Sequence, residues 1–228
     1  MKLVHSVVLA IAITSLSGFK SEDTFTLRQK YKKDDVQVYV ANLNLSSDGS
    51  EIEMEMKTSY KVLGVEDDGA YELEETLLSG SFKFNGEEQA MDPGKPKATK
   101  YDKDGTEIKK EGEVEEEDPV SDAIDDVFEY EPKGAVKIGE TWKHEGKFGT
   151  MDLTLEGKEK VEDVDCLKIT LKGKMDKKDT SGDVTATFLV REDDFSPVVM
   201  EAKIDNPRLD SEGPAMKKIE VKMKRAKA

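Results

Sequence analysis

Two side chains that could carry catalysis each occur once in the chain beyond its first few residues, His144 and Cys166. A protein metal site usually needs several histidine or cysteine ligands, and a catalytic cysteine needs a neighbour that lowers the pKa of its thiol. Neither residue has such a companion in the sequence. We therefore expect His144 to be a partly buried strand residue beside Trp142. We expect Cys166 to be a small buried apolar residue, with an intermolecular disulfide as the alternative.

The acidic residues offer many carboxylates, but no pattern singles out a site. Segment 102–107 is similar to the start of an EF-hand calcium loop, yet Glu107 stands where that loop needs a glycine, so a hairpin turn is the better interpretation. Calcium binding by Glu113 and the acidic run 115–118 is an alternative. A hydrolase with two positioned carboxylates is neither supported nor excluded by the 50 Asp and Glu residues. The sequence thus predicts no catalytic residue, no metal site and no cofactor.

The methionines are the residues that most suggest binding, because many of them lie in or beside predicted strands. A flexible, polarisable methionine side chain can adapt to an acyl chain or to the apolar groups of a partner protein. The predicted ligand-binding residues are Met54, Met56, Met175, Met200, Trp142, Ile124 and Phe128. The alternative is that these side chains simply fill a core.

Alternation of apolar and polar residues dominates the chain, and this period of two is typical of strands with one buried face. In 51–57, Ile52, Met54 and Met56 alternate with charged residues. The pattern returns in three later segments, 183–190, 198–204 and 219–223. One-sided strands favour antiparallel sheets. We predict an all-β, mainly antiparallel fold, either a curved sheet or half-barrel, or a sandwich.

Glycine-containing turns separate the predicted strands, as hairpins require. These turns are predicted at 47–49, 67–69, 85–86, 104–105 and 181–183. One segment departs from the strand pattern. Between 119 and 130 the apolar residues recur at helical spacing, with Pro119 at the first helical position and Pro132 beyond the end, which predicts one short amphipathic helix covering the sheet. Residues 86–118 are predicted to be a long hairpin or loop excursion.

The N-terminal residues indicate a secretory signal peptide over 1–17. Lys2 precedes the apolar run 7–13, and small residues follow at Ser15 and Ser17, where we expect cleavage. The run is shorter than the roughly 20 residues of a membrane-spanning helix, so no stable membrane span is predicted. The mature chain is expected to be exported from a bacterial cytoplasm, to the periplasm or outside the cell. It should form one domain over 19–228, with possible pseudo-repeat halves at 22–118 and 131–228 joined by helix 119–130.

Charge narrows the range of partners. The formal net charge is −15, and a strongly acidic protein is repelled by polyanions. Nucleic acids and anionic lipid surfaces are therefore not expected to bind.

Two segments of the chain resemble motifs of known protein families. Residues 132–142 resemble a pattern of uncharacterised exported bacterial β proteins, a proline followed by Val-Lys-x-Gly-Asp/Glu-x-Trp, and residues 157–166 resemble the hairpin that follows it there. More weakly, residues 188–200 are similar to a strand–turn–strand of the periplasmic lipoprotein-carrier half-barrels. The first resemblance implies a family of unknown function, and the second implies a curved sheet that could hold a lipid.

These observations favour a non-enzymatic, exported binding module that holds an apolar ligand or a lipid-modified partner in a sheet concavity. One alternative is a structural or protein-interaction domain with a filled core and no ligand. A second alternative is a carboxylate-dependent hydrolase.

Overall fold

The structure, a computed structural model, describes residues 23–108, 119–177, 180–209 and 216–226. The strands are β1 Thr24–Phe25, β2 Val36–Ser47, β3 Ser50–Val65, β4 Tyr71–Phe84, β5 Glu87–Met91, β6 Lys97–Tyr101, β7 Val136–Lys137, β8 Thr141–Glu145, β9 Gly149–Val161, β10 Val164–Met175, β11 Ser181–Arg191, β12 Pro197–Arg208 and β13 Met216–Arg225. Helix α1 is Pro119–Phe128. The predicted signal peptide and the acidic run 115–118, with Glu113, lie outside the described residues.

Most of the strands form one antiparallel sheet. Its order is β5-β4-β3-β2-β13-β12-β11-β10-β9-β8, with β6 pairing with the other end of β4, while β1 pairs with β7 in a separate ribbon. The sheet is large and curved but does not close. This confirms the predicted all-β fold, and of its predicted forms the curved sheet is the one observed. Because β13 pairs with β2, the sheet runs unbroken from segment 131–228 into segment 22–118.

Short hairpin turns set the register of the long strands. Between β4 and β5, Asn85 and Gly86 both have positive φ angles, of 47° and 92°, as a two-residue hairpin loop requires. Between β2 and β3, Gly49 has a φ of 84°. Both turns were predicted, and they fix the pairing of β3 with β2 and of β4 with β5.

Helix α1 packs on one face of the sheet, which we call the inner face. Ala123 and Val127 are buried beneath the helix, and the ring of Phe128 meets the ring of Phe188 on β11 edge to face, 6.2 Å between centroids. The helix begins at Pro119 as predicted and ends at Phe128, two residues before the predicted end. Ten residues cannot cross a bilayer, and the described part of the chain contains no helix long and apolar enough to do so.

The strand registers show that the inner face is continuous. Residues directly opposite each other on neighbouring strands point to the same face of a sheet. One row of such partners crosses from β9 to β4: Leu153, Leu171, Ala186, Ala202, Val221, Leu43, Met54 and Phe82. The residues from Leu153 to Val221 belong to the buried core, whereas Phe82 at the far end is only half-buried. The inner face is therefore packed at one end and open at the other.

Candidate functional site

Five apolar side chains form the open end of the inner face, which we call the methionine face. They are Ile52, Met54, Met56, Phe82 and Phe84. Ile52 lies opposite Phe84 and Met54 lies opposite Phe82, so that these four form two adjacent cross-strand pairs. The intervening residues of β3 are charged and point to the other face of the sheet.

The methionine face is only partly covered by the described residues. Phe84 is 45% exposed, and the other four side chains are half-buried. Because β3 is hydrogen-bonded on both edges, to β2 and to β4, this exposure lies on the face of the sheet. Along the whole of β3 and β4, Val62 is the one buried residue. A contiguous apolar surface of this kind is typical of interaction sites.

The residues predicted to bind a ligand are distributed over three places. Met54 and Met56 lie on the methionine face. Met175 and Met200 are 2% and 4% exposed and lie within the core. Ile124 and Phe128 on α1, like Trp142 on β8, are partly buried against that core.

The structure therefore does not gather the predicted residues around one cavity. It brings Met200 and Phe128 together in one cleft, and it connects Met54 to the core. The indole nitrogen of Trp142 is buried and has no hydrogen-bond partner among the described residues.

The cleft that contains Met200 and Phe128 has a volume of about 1030 Å³. Its walls are the end of α1, the extended segment Thr24–Tyr31, the β3–β4 turn and the loop after β6. Charged residues of both signs line its rim, and acidic ones predominate. This end of the sheet is thus more polar than the methionine face.

All six tyrosines of the chain gather beside this cleft, and we call them the tyrosine cluster. They are Tyr31, Tyr39, Tyr60, Tyr71, Tyr101 and Tyr130. Three of them stack in series, with ring centroids 4.1 Å apart for Tyr31–Tyr71 and 5.2 Å for Tyr71–Tyr101. Tyr39 and Tyr60 meet edge to face at 5.9 Å. This cluster could not be predicted from the sequence, because the six residues are spread over a hundred positions and only the strand pairing brings them together.

The one histidine of the described chain is held by a buried carboxylate. Asp126 on α1 accepts a hydrogen bond from His144 Nε2 at 3.0 Å and from the backbone N–H groups of Lys147 and Phe148 at 3.0 and 3.1 Å. Gly146 makes this approach possible, since a Cβ there would lie 2.1 Å from Asp126 Oδ1. We call this arrangement of Asp126, His144 and the 146–148 backbone the clasp, because it ties the helix to the β8–β9 hairpin.

The clasp has opposite effects on its two titratable groups. Burial pushes the pKa of Asp126 upward, but the hydrogen bonds from His144 and from the two backbone amides outweigh it and leave this pKa lowered. The hydrogen bond to Asp126 raises the pKa of His144 against the opposing effect of burial, and Glu129 and Glu145 add to the increase. The two groups therefore stabilise each other in their charged forms.

The residues of the clasp are also candidates for binding a metal and for hydrolysis. Asp126, Glu129 and His144 offer ligand atoms within 4.8 Å of one another, the one such group that the described residues contain. The carboxylate of Asp126 already accepts hydrogen bonds from three protein donors, which accounts for the group as a structural contact. Asp126 and His144 do not line the 1030 Å³ cleft. Glu129, whose carboxylate lies 3.9 Å from His144 Nε2, does line this cleft.

Cys166 and segment 102–107 are the other candidates for chemistry in the sequence, and the surroundings of both indicate a structural role. Cys166 is fully buried, and burial raises the pKa of its thiol, which is the opposite of what an activated nucleophile needs. The carboxylate of Asp102 accepts hydrogen bonds from the N–H groups of Asp104 and Thr106, so it caps its own turn. This confirms the hairpin-turn interpretation of 102–107.

Comparison with known proteins gives little guidance. No protein-family model and no curated protein matches the chain. Among solved structures, the chain is similar to a DUF1329 family protein from Desulfovibrio piger, with 14% identity, coverage of 85% of this chain and 84% of that one, and a TM-score of 0.25. It is also similar to a domain from Vibrio parahaemolyticus named as an outer membrane lipoprotein-sorting protein, with 9% identity, coverage of 86% and 85%, and a TM-score of 0.23.

The second structure is named as a lipoprotein-sorting domain, and residues 188–200 of this chain resemble lipoprotein carriers weakly. Membership of the family with the Val-Lys-x-Gly-Asp/Glu-x-Trp motif stays a prediction. TM-scores of this size carry neither fold nor function over to this chain. Its function has to be argued from the geometry of the sheet.

Proposed function

We propose that the protein is an exported, non-enzymatic binding module whose methionine face holds an acyl chain. The observation that carries this proposal is the open apolar surface on β3 and β4. In a sheet without a ligand, such side chains would be expected to lie under a covering element, as Phe188 on β11 lies under α1.

The chemistry of the face favours an acyl chain over a polar ligand. None of its five side chains is charged, and two are methionines, whose flexible side chains adapt to a chain of variable shape. Ile52, Met54 and Met56 are spaced two residues apart and extend over about 13 Å along the strand. A row of this length suits the methylene groups of a fatty acid or of a lipid-modified protein. At a net charge of −15, docking onto an anionic membrane surface is disfavoured, so the ligand would be a single molecule.

The first experiment is mass spectrometry of protein purified without detergent from an exporting host. We expect a stoichiometric extra mass under native conditions that is lost on denaturation and that solvent extraction identifies as a lipid. Titration with a fluorescent fatty acid and with a synthetic lipopeptide then distinguishes a free lipid from a lipid-modified partner. A bare polypeptide mass, together with no uptake of either probe, would refute the proposal and leave the interaction domain with a filled core as the better candidate.

A pair of variants with equal charge changes tests the location. Met54→Glu with Met56→Glu places two carboxylates on the methionine face, and it should weaken probe binding about tenfold or more, because the acyl chain would have to desolvate them. The control is Lys57→Glu, which changes the net charge equally on the opposite, exposed face of the same strand. Equal loss of binding in both variants would place the acyl chain elsewhere or show a charge effect alone.

A further inference from the structure

A small pocket lies inside the tyrosine cluster, at the other end of β2 and β3 from the methionine face. Its volume is about 180 Å³, and Tyr31, Tyr39 and Tyr60 contribute three aromatic walls. The remaining walls are apolar or uncharged side chains, among them Gln37 and Met223, and none of the described residues lining the pocket carries a charge. An apolar cavity of about 150 Å³ holds benzene, so this volume suits a ligand of about six or seven heavy atoms.

The polar atoms of Gln29, Gln37 and Tyr39 in the pocket are already engaged with one another. The Tyr39 hydroxyl donates to Gln37 Oε1 at 2.7 Å, and Gln29 Nε2 donates to the same oxygen at 3.3 Å. A ligand rich in hydroxyl groups would have to break these bonds to make its own. What the pocket does offer is aromatic surface. Tyr71 stacks on one side of Tyr31, so a ligand meets the remaining side or the edge of that ring.

Carboxylates lie around the pocket, and two of them pair with arginines, Glu131 with Arg28 at 3.6 Å and Asp194 with Arg191 at 3.5 Å. The Tyr60 hydroxyl donates to Glu75 at 3.4 Å, and the backbone N–H of Gln29 donates to Glu131. Burial raises the pKa values of Tyr31, Tyr39 and Tyr60. The negative charge of Glu131 raises the pKa of Tyr31 further, and that of Glu75 raises the pKa of Tyr60 further. At Tyr39 the positive charge of Arg225 lowers the pKa more than the negative charge of Asp194 raises it. The three hydroxyls therefore stay protonated at neutral pH.

We propose that the tyrosine pocket binds a compact organic cation of the quaternary ammonium type, about the size of choline. The electron-rich faces of tyrosine rings attract such a cation, and the attraction is strongest where water is excluded. The rings would hold the cation without a close ion pair, because no charged side chain lines the pocket, and this suits a methylated ammonium group that has no N–H to donate. This inference does not rest on the methionine face, and a failed acyl-chain experiment would leave it standing.

The test compares two probes of the same shape on the wild-type protein. Calorimetric titration with choline should show saturable binding, whereas the uncharged isostere 3,3-dimethylbutan-1-ol should bind about tenfold more weakly or not at all. Equal affinity for both probes would overturn the inference, because it would mean an apolar pocket without selectivity for charge. Binding of glucose but not choline would overturn it in favour of a sugar site. Absence of binding by all three probes would also refute it.

Three variants then locate the site. Tyr60→Leu removes one aromatic wall and should weaken choline binding about tenfold, whereas Tyr60→Phe keeps the ring and should retain most of the affinity. Phe84→Leu, at the far end of the sheet, is the control for loss of an aromatic residue and should leave the affinity unchanged. Circular dichroism melts identify any variant that fails to fold, and in that case the Tyr60→Phe result and the wild-type comparison still decide. If choline affinity is the same in Tyr60→Leu as in the wild type, the cation lies elsewhere.

Discussion

The two ends of the sheet share the alternation of apolar and polar residues and differ greatly in burial. The covered half, β9 to β12, contains fully buried residues such as Leu153, Ile169 and Phe188, and α1 lies on its inner face. In the open half, β3 to β6, the apolar residues that alternate in the same way remain partly exposed. The two halves differ in what covers their inner face. Among the described residues, helix α1 lies over the covered half, whereas the methionine face of the open half has no such cover.

This comparison shows what alternation in a strand can and cannot reveal. Period-two alternation determines which side chains share a face, and the register then joins the faces of both halves into one surface. It does not determine whether another element covers that surface. The covered half is therefore packed against other parts of the chain, whereas the open half keeps its apolar surface partly exposed.

The largest expected difference is between two phenylalanines in the two halves. Phe188→Ala should lower the free energy of unfolding by about 3–5 kcal/mol, because a fully buried ring in contact with Phe128 and Tyr130 would be replaced by a cavity. Phe82→Ala should cost about 1 kcal/mol or less, because half-exposed apolar surface is not fully removed from water on folding. Urea unfolding monitored by circular dichroism measures both. Equal losses would show that the open half is packed as tightly as the covered one.

A smaller loss is expected when the helix is separated from its hairpin. Gly146→Ala places a Cβ where the Asp126 carboxylate lies, so this buried group must give up its bonds to the Lys147 and Phe148 amides. We expect a loss of about 2–4 kcal/mol in the free energy of unfolding. Gly134→Ala, where an added Cβ meets nothing within 4 Å, is the matched control. If both variants unfold at the same urea concentration, the clasp does not hold the helix on the covered half.

Much of the fold could be predicted because it depends on local patterns. The strands around Ile52 and Val221, the turn at Asn85-Gly86 and the helix beginning at Pro119 all follow from alternation, turn residues and helical spacing. The motif within 132–142 also has a local explanation. Gly139 adopts a φ of 85°, and the Glu140 carboxylate accepts the Lys137 N–H, so the motif is a turn between β7 and β8.

Predictions failed or fell short where distant contacts decide the outcome. The turn predicted at 181–183 was wrong, because Ser181 begins β11 and Gly182, with a φ of 155°, lies at a register shift against β12. Nothing near His144 in the sequence indicates Asp126, which comes from a different element. The tyrosine cluster likewise depends on strand pairing between segments far apart in the chain. The same pairing puts Met54 and Met175 in different parts of the sheet.

The smallest expected effect is the pH dependence of the clasp, which exists only in the covered half. The folded-state pKa of His144 lies above its ordinary value of 6.5, so its contribution to stability is complete below that pH and is lost as the pH rises through the raised pKa. The pKa of Asp126 lies below its ordinary value of 3.8, so its contribution is present above that pH and is lost as the pH falls through the lowered pKa. The clasp should therefore be strongest between these two ordinary values.

Urea midpoints followed by the fluorescence of Trp142, the single tryptophan and a near neighbour of His144, test this in the neutral range. In the wild type, the midpoint should fall as the pH rises from about 6 to 9. The variant His144→Gln should show a shallower fall, because general repulsion in this acidic chain remains while the histidine no longer titrates. The difference between the two curves isolates the contribution of His144 to the clasp. Parallel curves would show that the charge of His144 does not hold α1 over the covered half. The packing of buried helix residues such as Val127 against the core would then be what keeps the helix in place.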